Sequence, residues 1–260
     1  MLTDTVHSNE VRGRRFLVVL FILTLPLVNP YIRGDGNGYY AYVRSLIVDA
    51  DLHFANEYRR GDAAFVEMAF ERDGSLRPNM VMPNNYVRNQ WAVGPSLLWT
   101  PFFLTAHGLV QILNGFGLNV GADGYSRPYR WICALGTALY SFSGLLLAYQ
   151  ITAQLTNPQV AMFATAGIWF ASSLPVYMYF LPFHVHGLAA FSVSLFLWYW
   201  LRTRAIRTHT QWALWGLMGG LMIEVYYLNA LFLLIPLFSI LFPPESGLKS
   251  LMQAAVFGLA

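Results

Sequence analysis

A single carboxylate stands among glycines in residues 34–38, which read Gly-Asp-Gly-Asn-Gly. Asp35 is the only acid there, and the segment directly follows the first apolar run of the chain. A positioned carboxylate can act as a general base by taking a proton from a reacting hydroxyl. The same composition is also ordinary turn chemistry, because Asp and Asn cap helices and glycine permits tight turns. Asp35 is therefore either a catalytic base or a turn and cap residue.

Histidine and acidic pairs supply further candidate groups. His184 and His186 form a His-x-His pair just before a later apolar run, and such a pair can bind a metal ion or hydrogen-bond a phosphate. Without a third ligand the metal interpretation is incomplete, and the same histidines suit the start of a helix at a membrane interface. Asp49 and Asp51 beside His53 also resemble a metal site, although their position indicates the solvated end of a helix. The sequence is compatible with a divalent metal ion or with no cofactor.

The elements that hold these residues are apolar. Hydrophobic residues make up 56% of the chain and charged residues 11%. Several apolar runs approach the roughly 20 residues that cross a bilayer core of about 30 Å. These features predict a multi-pass integral membrane protein in contact with membrane lipids. The net charge of +3 gives no reason to expect a nucleic-acid partner, and the single Cys133 excludes an intrachain disulfide.

Charge divides the chain into apolar runs and connections. Residues 29–90 contain eight acidic residues and seven arginines, whereas no Asp, Glu, Lys or Arg occurs in residues 131–201. The first distribution predicts a large solvated loop over residues 33–90. A cleaved signal peptide is the alternative for the first run, but residues 27–32 lack a small-residue cleavage pattern. The predicted spans are residues 16–32, 131–153, 159–179, 187–201 and 212–241.

Two arginine clusters indicate orientation, since positive residues favour cytoplasmic connections. They are Arg12, Arg14 and Arg15 before the first run, and Arg202, Arg204 and Arg207 after the 187–201 run. Five apolar runs separate the clusters, so one run must not cross if both clusters face the cytoplasm. Residues 91–113 are the best candidate, because Gly94-Pro95 and Pro101 interrupt them in the manner of a re-entrant or interfacial helix. The loop at residues 33–90 is then extracytoplasmic.

The last apolar stretch is too long for one ordinary span. Residues 212–241 contain Glu224 and Asn229 near the middle, which predicts a bend or break near residues 227–229. Glu224 is expected to face a protein cavity, because an ionised carboxylate in lipid is costly. Another apolar run covers the last ten residues. We therefore expect residues 1–260 to form a single transmembrane domain that is truncated at its C-terminus.

Four stretches resemble the amino-terminal half of a GT-C superfamily membrane glycosyltransferase, of the broad class that includes protein mannosyltransferases and aminoarabinose transferases. They are residues 34–46 (GDGNGYYAYVRSL), 51–58 (DLHFANEY), 93–103 (VGPSLLWTPFF) and 226–229 (YYLN). The resemblance covers most of the chain, and its first two stretches are the specific ones. A basic residue is common in that superfamily near the position of residues 224–229, and this chain has none there.

The resemblance implies an all-α, polytopic transmembrane helical bundle with a large extracytoplasmic first loop. It also implies a sugar donor on a polyprenyl phosphate or pyrophosphate, and an acceptor that is a glycan, a lipid or a protein. Sugar transfer passes through an oxocarbenium-like state, so a carboxylate must take the acceptor proton while cations neutralise the departing phosphate. Asp35 is the predicted base. The predicted substrate-binding residues are Arg33, Tyr39, Tyr40, Arg44, Arg88, His184, His186, Glu224 and Asn229.

Other interpretations stay open. Tyr39 and Tyr40 also suit an anchoring role at the membrane interface. A transporter or lipid flippase would line a path through its spans with ionisable residues, whereas here such residues crowd the 33–90 segment. An inactive membrane scaffold fragment is a third possibility.

Overall fold

The computed structural model describes residues 2–204, 207–241 and 255–260. Within these residues there is no β-strand, and two isolated bridges join Phe70 to Leu76 and Val81 to Val87. The α-helices are α1 (Leu2–Thr24), α2 (Asp35–Arg44), α3 (Ala55–Arg59), α4 (Ala63–Ala69), α5 (Gly94–Gly115), α6 (Arg127–Leu155), α7 (Pro158–Phe170), α8 (His186–Thr203), α9 (His209–Val225) and α10 (Leu234–Leu241). The predicted all-α class is confirmed for the described residues.

Two of these helices are long and apolar enough to cross a membrane. An 18-residue window of α5 has a mean hydropathy of 1.3, and one of α6 has 1.6. At about 1.5 Å per residue, both helices exceed a hydrocarbon core of about 30 Å. The predicted span 131–153 lies inside α6, and 187–201 lies inside α8.

The predicted interruption at Pro101 does not occur, because α5 continues through this residue. Pro95 lies in the first turn of α5, where a missing N–H removes no helical hydrogen bond. Threonine hydroxyls bond along the helix on either side of Pro101: Thr100 Oγ1 donates to the Ser96 carbonyl at 2.8 Å, and Thr105 Oγ1 to the Pro101 carbonyl at 2.7 Å. The re-entrant placement of residues 91–113 stays a prediction.

Prolines divide two other predicted spans. α1 ends at Thr24, two residues before Pro26, and a 3₁₀ turn follows at Leu25–Leu27. α7 ends at Phe170, and a π-helical turn at Val176–Phe180 follows Pro175. Proline lacks an amide N–H and disfavours helical geometry in the preceding residue. Residues 16–32 and 159–179 are therefore not single continuous helices.

The chain divides into two compact units. The terminal unit comprises Met1–Leu23, Ser141–Ser172 and Leu188–Ala260, and the central unit comprises Thr24–Tyr140 and Ser173–Gly187. In the terminal unit Phe21 of α1 stacks on Phe142 of α6, with ring centroids 4.2 Å apart. Trp215 of α9 packs against Phe196 of α8 at 5.2 Å. Aromatic contacts between helices thus form much of this core.

A break interrupts the 212–241 stretch close to where the sequence predicts it. α9 ends at Val225, and a 3₁₀ helix at Tyr227–Leu233 leads into α10. The buried Asn229 side chain donates to the Met222 carbonyl at 3.1 Å, which satisfies a carbonyl of the last turn of α9. Glu224 is exposed on the surface of the terminal unit and not in the expected cavity.

Residues 33–90 of the central unit form a folded core and not the solvated loop that their charges predict. Short helices α3 and α4 bury Tyr58, Phe65 and Ala69 and leave Arg59 and Glu67 exposed. The buried cluster consists of Ala41, Phe54, Tyr58, Phe65, Ala69, Phe70, Met80 and Val87. Burial of this many apolar side chains supplies the main stabilisation of the segment.

α2 packs closely on α5 and on the segment before it. Ser96 Oγ of α5 donates to the Tyr39 carbonyl at 2.6 Å and accepts from the Val43 N–H at 3.0 Å. A β-carbon placed at Gly38 would lie 2.2 Å from the ring of Trp91, so only glycine fits there. These contacts fix the helix that carries Asp35.

Candidate functional site

The N-terminus of α2 is held by a carboxylate from another helix. Gly34 is the N-cap, with φ of +52°, a left-handed conformation that glycine adopts without strain. Asp62 Oδ2 accepts from the Gly34 N–H, and Asp62 Oδ1 accepts from the Phe65 N–H at 3.0 Å as the N-cap of α4. The Asn37 amide donates to the Gly34 carbonyl at 3.0 Å. Asp62 therefore performs the capping that the sequence allowed for Asp35.

Asp35 is left as an exposed carboxylate at the first position of α2. Its side chain makes no hydrogen bond or ion pair with any residue that the structure describes. The following Gly36 packs against Phe183, because a β-carbon there would lie 2.8 Å from that residue's Cβ. Space beside Gly34 is taken by His184, whose Nε2 would lie 3.6 Å from a β-carbon at position 34. The predicted base and the predicted histidine pair thus lie in one place.

His184 is half-buried beside this carboxylate. Burial lowers the pKa of His184, while the Asp35 charge and a hydrogen bond to the Arg33 backbone act in the opposite direction. The Tyr177 ring lies 5.9 Å from the His184 ring and 4.2 Å from the His186 ring, between centroids. His186 begins α8, in accord with the alternative of helix-start histidines. No group of three or more His, Cys, Asp or Glu in the described ranges is arranged to hold a metal ion.

A pocket of about 390 Å³ opens in the same unit. Its lining consists of Tyr31, Ile32, Asn37, Arg60, Tyr125 and Arg130. Asn37 lies in the first turn of α2, two residues after Asp35, so one helical turn contributes both the exposed carboxylate and part of the pocket wall. The volume falls within the range of small-molecule sites in proteins.

Arginine and tyrosine side chains stack around this pocket. The guanidinium carbons of Arg33 and Arg130 each lie 5.4 Å from the centre of the Tyr31 ring. Arg60 lies 5.2 Å from the centre of Tyr125. The Nε of Arg130 is buried without a hydrogen-bond partner among the described residues. Arg130 also lines the pocket and makes no ion pair with a described residue, so an anionic ligand that reached its guanidinium would be favourable.

Asp123 balances part of this positive charge. Its Oδ2 accepts from Arg60 at 2.6 Å, and its Oδ1 accepts from the N–H groups of Tyr125 at 2.9 Å and Ser126 at 3.1 Å. Burial raises the pKa of Asp123, but these hydrogen bonds and the Arg60 charge outweigh it and lower the pKa. Arg60 and Arg130 are the charged residues of the lining, and Arg130 makes no ion pair with any described residue.

Three predicted substrate contacts are buried structural residues instead. Arg44 is 6% exposed, and its guanidinium pairs with Asp49 and, at 2.7 Å, with Glu57. Burial raises the pKa of Glu57, which the hydrogen bond from Arg44 opposes. Tyr40 is fully buried, with its hydroxyl donating to the Gly124 carbonyl at 2.6 Å, and Tyr39 is buried as well. The side chains of Tyr39, Tyr40 and Arg44 are therefore buried inside the central unit.

The remaining predicted contacts are not brought to the pocket lining. Arg88 is exposed, and its backbone carbonyl accepts from the Tyr58 hydroxyl at 3.0 Å. Glu224 and Asn229 belong to the terminal unit, so their part in a site stays a prediction.

None of the six lining residues is a predicted site residue. Asn37 belongs to the glycine-rich segment, and the other five lie outside it: Tyr31, Ile32, Arg60, Tyr125 and Arg130. They come from three separate segments, and their own neighbours in sequence form no motif. The available signal was charge, since Arg60 belongs to the 33–90 segment and Arg130 to the connection before the apolar part of α6.

Comparison with known proteins does not assign the chain to a family. No family model, curated protein or solved structure matches the chain. The chemistry of the site is therefore the basis for a functional proposal.

Proposed function

We propose that the chain is a multi-pass integral membrane glycosyltransferase similar to the GT-C superfamily. It transfers a sugar from a polyprenyl-phosphate-type donor to an acceptor at the extracytoplasmic face. The observation that carries this proposal is the exposed, unpaired Asp35 carboxylate beside His184, on the same helical turn as the wall of an arginine-rich pocket. That combination offers a base for a hydroxyl and cations for a leaving phosphate.

Each group has a defined part in the proposed reaction. Asp35 takes the proton of the acceptor hydroxyl as the hydroxyl oxygen bonds to the anomeric carbon. The bond from that carbon to the phosphate oxygen breaks, and the phosphate keeps the electron pair. Arg60 and Arg130 neutralise the charge on the phosphate. No step is assigned to a metal ion, since His184 and His186 have no third ligand among the described residues.

Two observations support the multi-pass membrane placement. α5 and α6 have the length and apolar composition of membrane helices; in the proposed topology α6 crosses the membrane and α5 is the re-entrant or interfacial helix. In the terminal unit Arg14 and Arg202 line one pocket, so the two arginine clusters share a face of that unit. Both clusters must lie on one face if both are cytoplasmic, as their positive charge favours. In the proposed topology this face is cytoplasmic.

A transporter or lipid flippase is the second candidate. The observation that favours it is the acidic Glu224 within the apolar 212–241 stretch, since an ionisable residue inside an apolar stretch is typical of translocation paths. An inactive scaffold is distinguished from both by the absence of transfer and of transport.

Sugar transfer by the full chain in liposomes tests the proposal. The probes are polyprenyl phosphates carrying radioactive mannose, glucose or aminoarabinose, and release of the polyprenyl phosphate is measured. Asp35→Asn preserves the shape of the side chain but removes the base, so transfer should fall about 100-fold to 10,000-fold while donor binding is retained. Asp73→Asn, a change in an exposed turn, is the control and should leave the rate unaltered.

Wild-type transfer by the Asp35→Asn protein would overturn the assignment. Movement of the donor lipid between leaflets without sugar release would favour the flippase instead.

A further inference from the structure

A second pocket, in the terminal unit, brings arginines and amides together from three helices. It measures about 130 Å³. Its polar lining comprises Glu10 and Arg14 of α1, Gln150 and Gln154 of α6, and Arg202 of α8. The proposed sugar transfer uses none of these residues.

The charges in this pocket do not cancel. Glu10 pairs with Arg14 across one turn of α1, and both side chains are partly exposed. Arg202 makes no hydrogen bond or ion pair with any residue in the described ranges; its guanidinium lies over the Trp198 ring at 5.6 Å. Trp198 in turn donates to Gln150 Oε1 at 2.9 Å, which fixes the wall beneath Arg202. Glu10 is the only acid among the lining residues, so one positive charge remains.

We infer that this pocket binds a phosphate group, either as the headgroup of an anionic lipid or as free phosphate. Guanidinium groups match phosphate oxygens in geometry as well as in charge, and two of them converge here with amide donors beside them. The pocket volume of about 130 Å³ leaves room for a phosphate group. Juxtamembrane arginines also attract the anionic lipids of the cytoplasmic leaflet. The inference does not depend on the chemistry of Asp35.

Native mass spectrometry of the full chain, released from nanodiscs of equal phosphatidylglycerol and phosphatidylcholine, tests the inference. The wild type should retain phosphatidylglycerol selectively. Arg14→Gln and Arg202→Gln should each weaken this binding about tenfold, because each removes a charged hydrogen bond to the phosphate. Arg15→Gln and Arg204→Gln are matched controls from the same clusters; both arginines are exposed and neither lines the pocket, so binding should be unchanged.

A variant that binds phosphatidylglycerol more tightly provides a second test, because a misfolded protein would lose binding. Glu10→Gln removes the only acid of the lining, so it should tighten phosphatidylglycerol binding severalfold. Inorganic phosphate at millimolar concentration distinguishes the two sources. Displacement of the lipid by phosphate assigns the pocket to free phosphate, and persistence of the lipid assigns it to a headgroup. Equal losses in the four arginine variants, or no preference over phosphatidylcholine, would overturn the inference.

Discussion

Asp35 and Asp62 are two carboxylates near one helix start, and their surroundings give them opposite roles. Asp62 accepts hydrogen bonds from Gly34 and Phe65 and therefore serves structure. Asp35, one residue into α2, keeps its oxygens exposed. A cap supplied from α4 thus makes a carboxylate available for chemistry at a position where the sequence alone leaves the two roles open.

Donor binding should depend on the pocket arginines at the residue level. Arg60→Gln and Arg130→Gln should each weaken binding of a polyprenyl-phosphate sugar about tenfold to a hundredfold, because each loses a charged hydrogen bond to phosphate. Equilibrium binding to the full chain in detergent measures this change. Arg59→Gln is the matched control, since Arg59 lies over the Phe70 ring at 5.3 Å and does not line the pocket. An Arg59 effect as large as that of Arg60 would contradict the site.

His184 should make stability depend on pH. Burial lowers the pKa of His184, so below the usual value of about 6.5 the folded protein binds fewer protons there than the unfolded chain. The free energy of unfolding is then highest above pH 6.5 and falls as the pH drops from there towards the folded pKa. Thermal unfolding between pH 5 and pH 8 should show this loss, and His184→Gln should reduce it. An unaltered profile in the His184→Gln protein would refute this cause.

The residues of the site were predictable where their signal is local. Asp35 stands out among glycines, and His184 stands out before an apolar run, so the sequence alone makes both of them candidates. Arg60 and Arg130 are 70 positions apart, and their convergence depends on how the central unit packs. Tyr40 is predicted to contact substrate or the membrane interface, but it is buried. The positions of tyrosines in the sequence do not show whether a helix face meets solvent or packs on α5.

At the level of elements, apolar length predicted a continuous helix correctly for two of the five spans. α6 and α8 enclose their predicted spans because long apolar runs form helices over most of their length. α3 and α4 have five and seven residues, too few for helical periodicity to appear among their charges. The sequence therefore predicts a solvated loop for residues 33–90, where the structure has a buried apolar core.

Asp62 should stabilise the N-termini of both α2 and α4. Asp62→Ala removes the cap of α4 and the acceptor for the Gly34 N–H, so the free energy of unfolding should fall by about 1 to 3 kcal/mol. Denaturant unfolding of the full chain in detergent measures this. Asp62→Asn keeps an acceptor oxygen and should lose less than half as much. A cost below that of Asp73→Ala, in an exposed turn, would show that the cap contributes little.

For the whole molecule, the orientation in the membrane is the principal prediction. In a Cys133→Ser background, Ser75→Cys should react with an impermeant maleimide from outside intact cells. Arg12→Cys and Arg204→Cys should react only after the membrane is opened, since Arg14 and Arg202 line one pocket and their neighbours must share a side. The buried Cys133 gives little background even before its replacement. Labelling of positions 12 and 204 from opposite sides would contradict the shared face.

The glycines of residues 34–38 make room for other parts of the chain. Gly36 admits Phe183, and Gly38 admits Trp91, which lie about 150 and 50 positions further along the sequence. A larger side chain at position 36 or 38 therefore requires a smaller one at position 183 or 91. Among natural variants of this chain, size at 36 and size at 183 should co-vary inversely, and so should size at 38 and 91. The glycines of residues 34–38, whose composition is typical of a turn, therefore provide space for two aromatic side chains. Substitutions at positions 36 and 38 are constrained by the residues at positions 183 and 91.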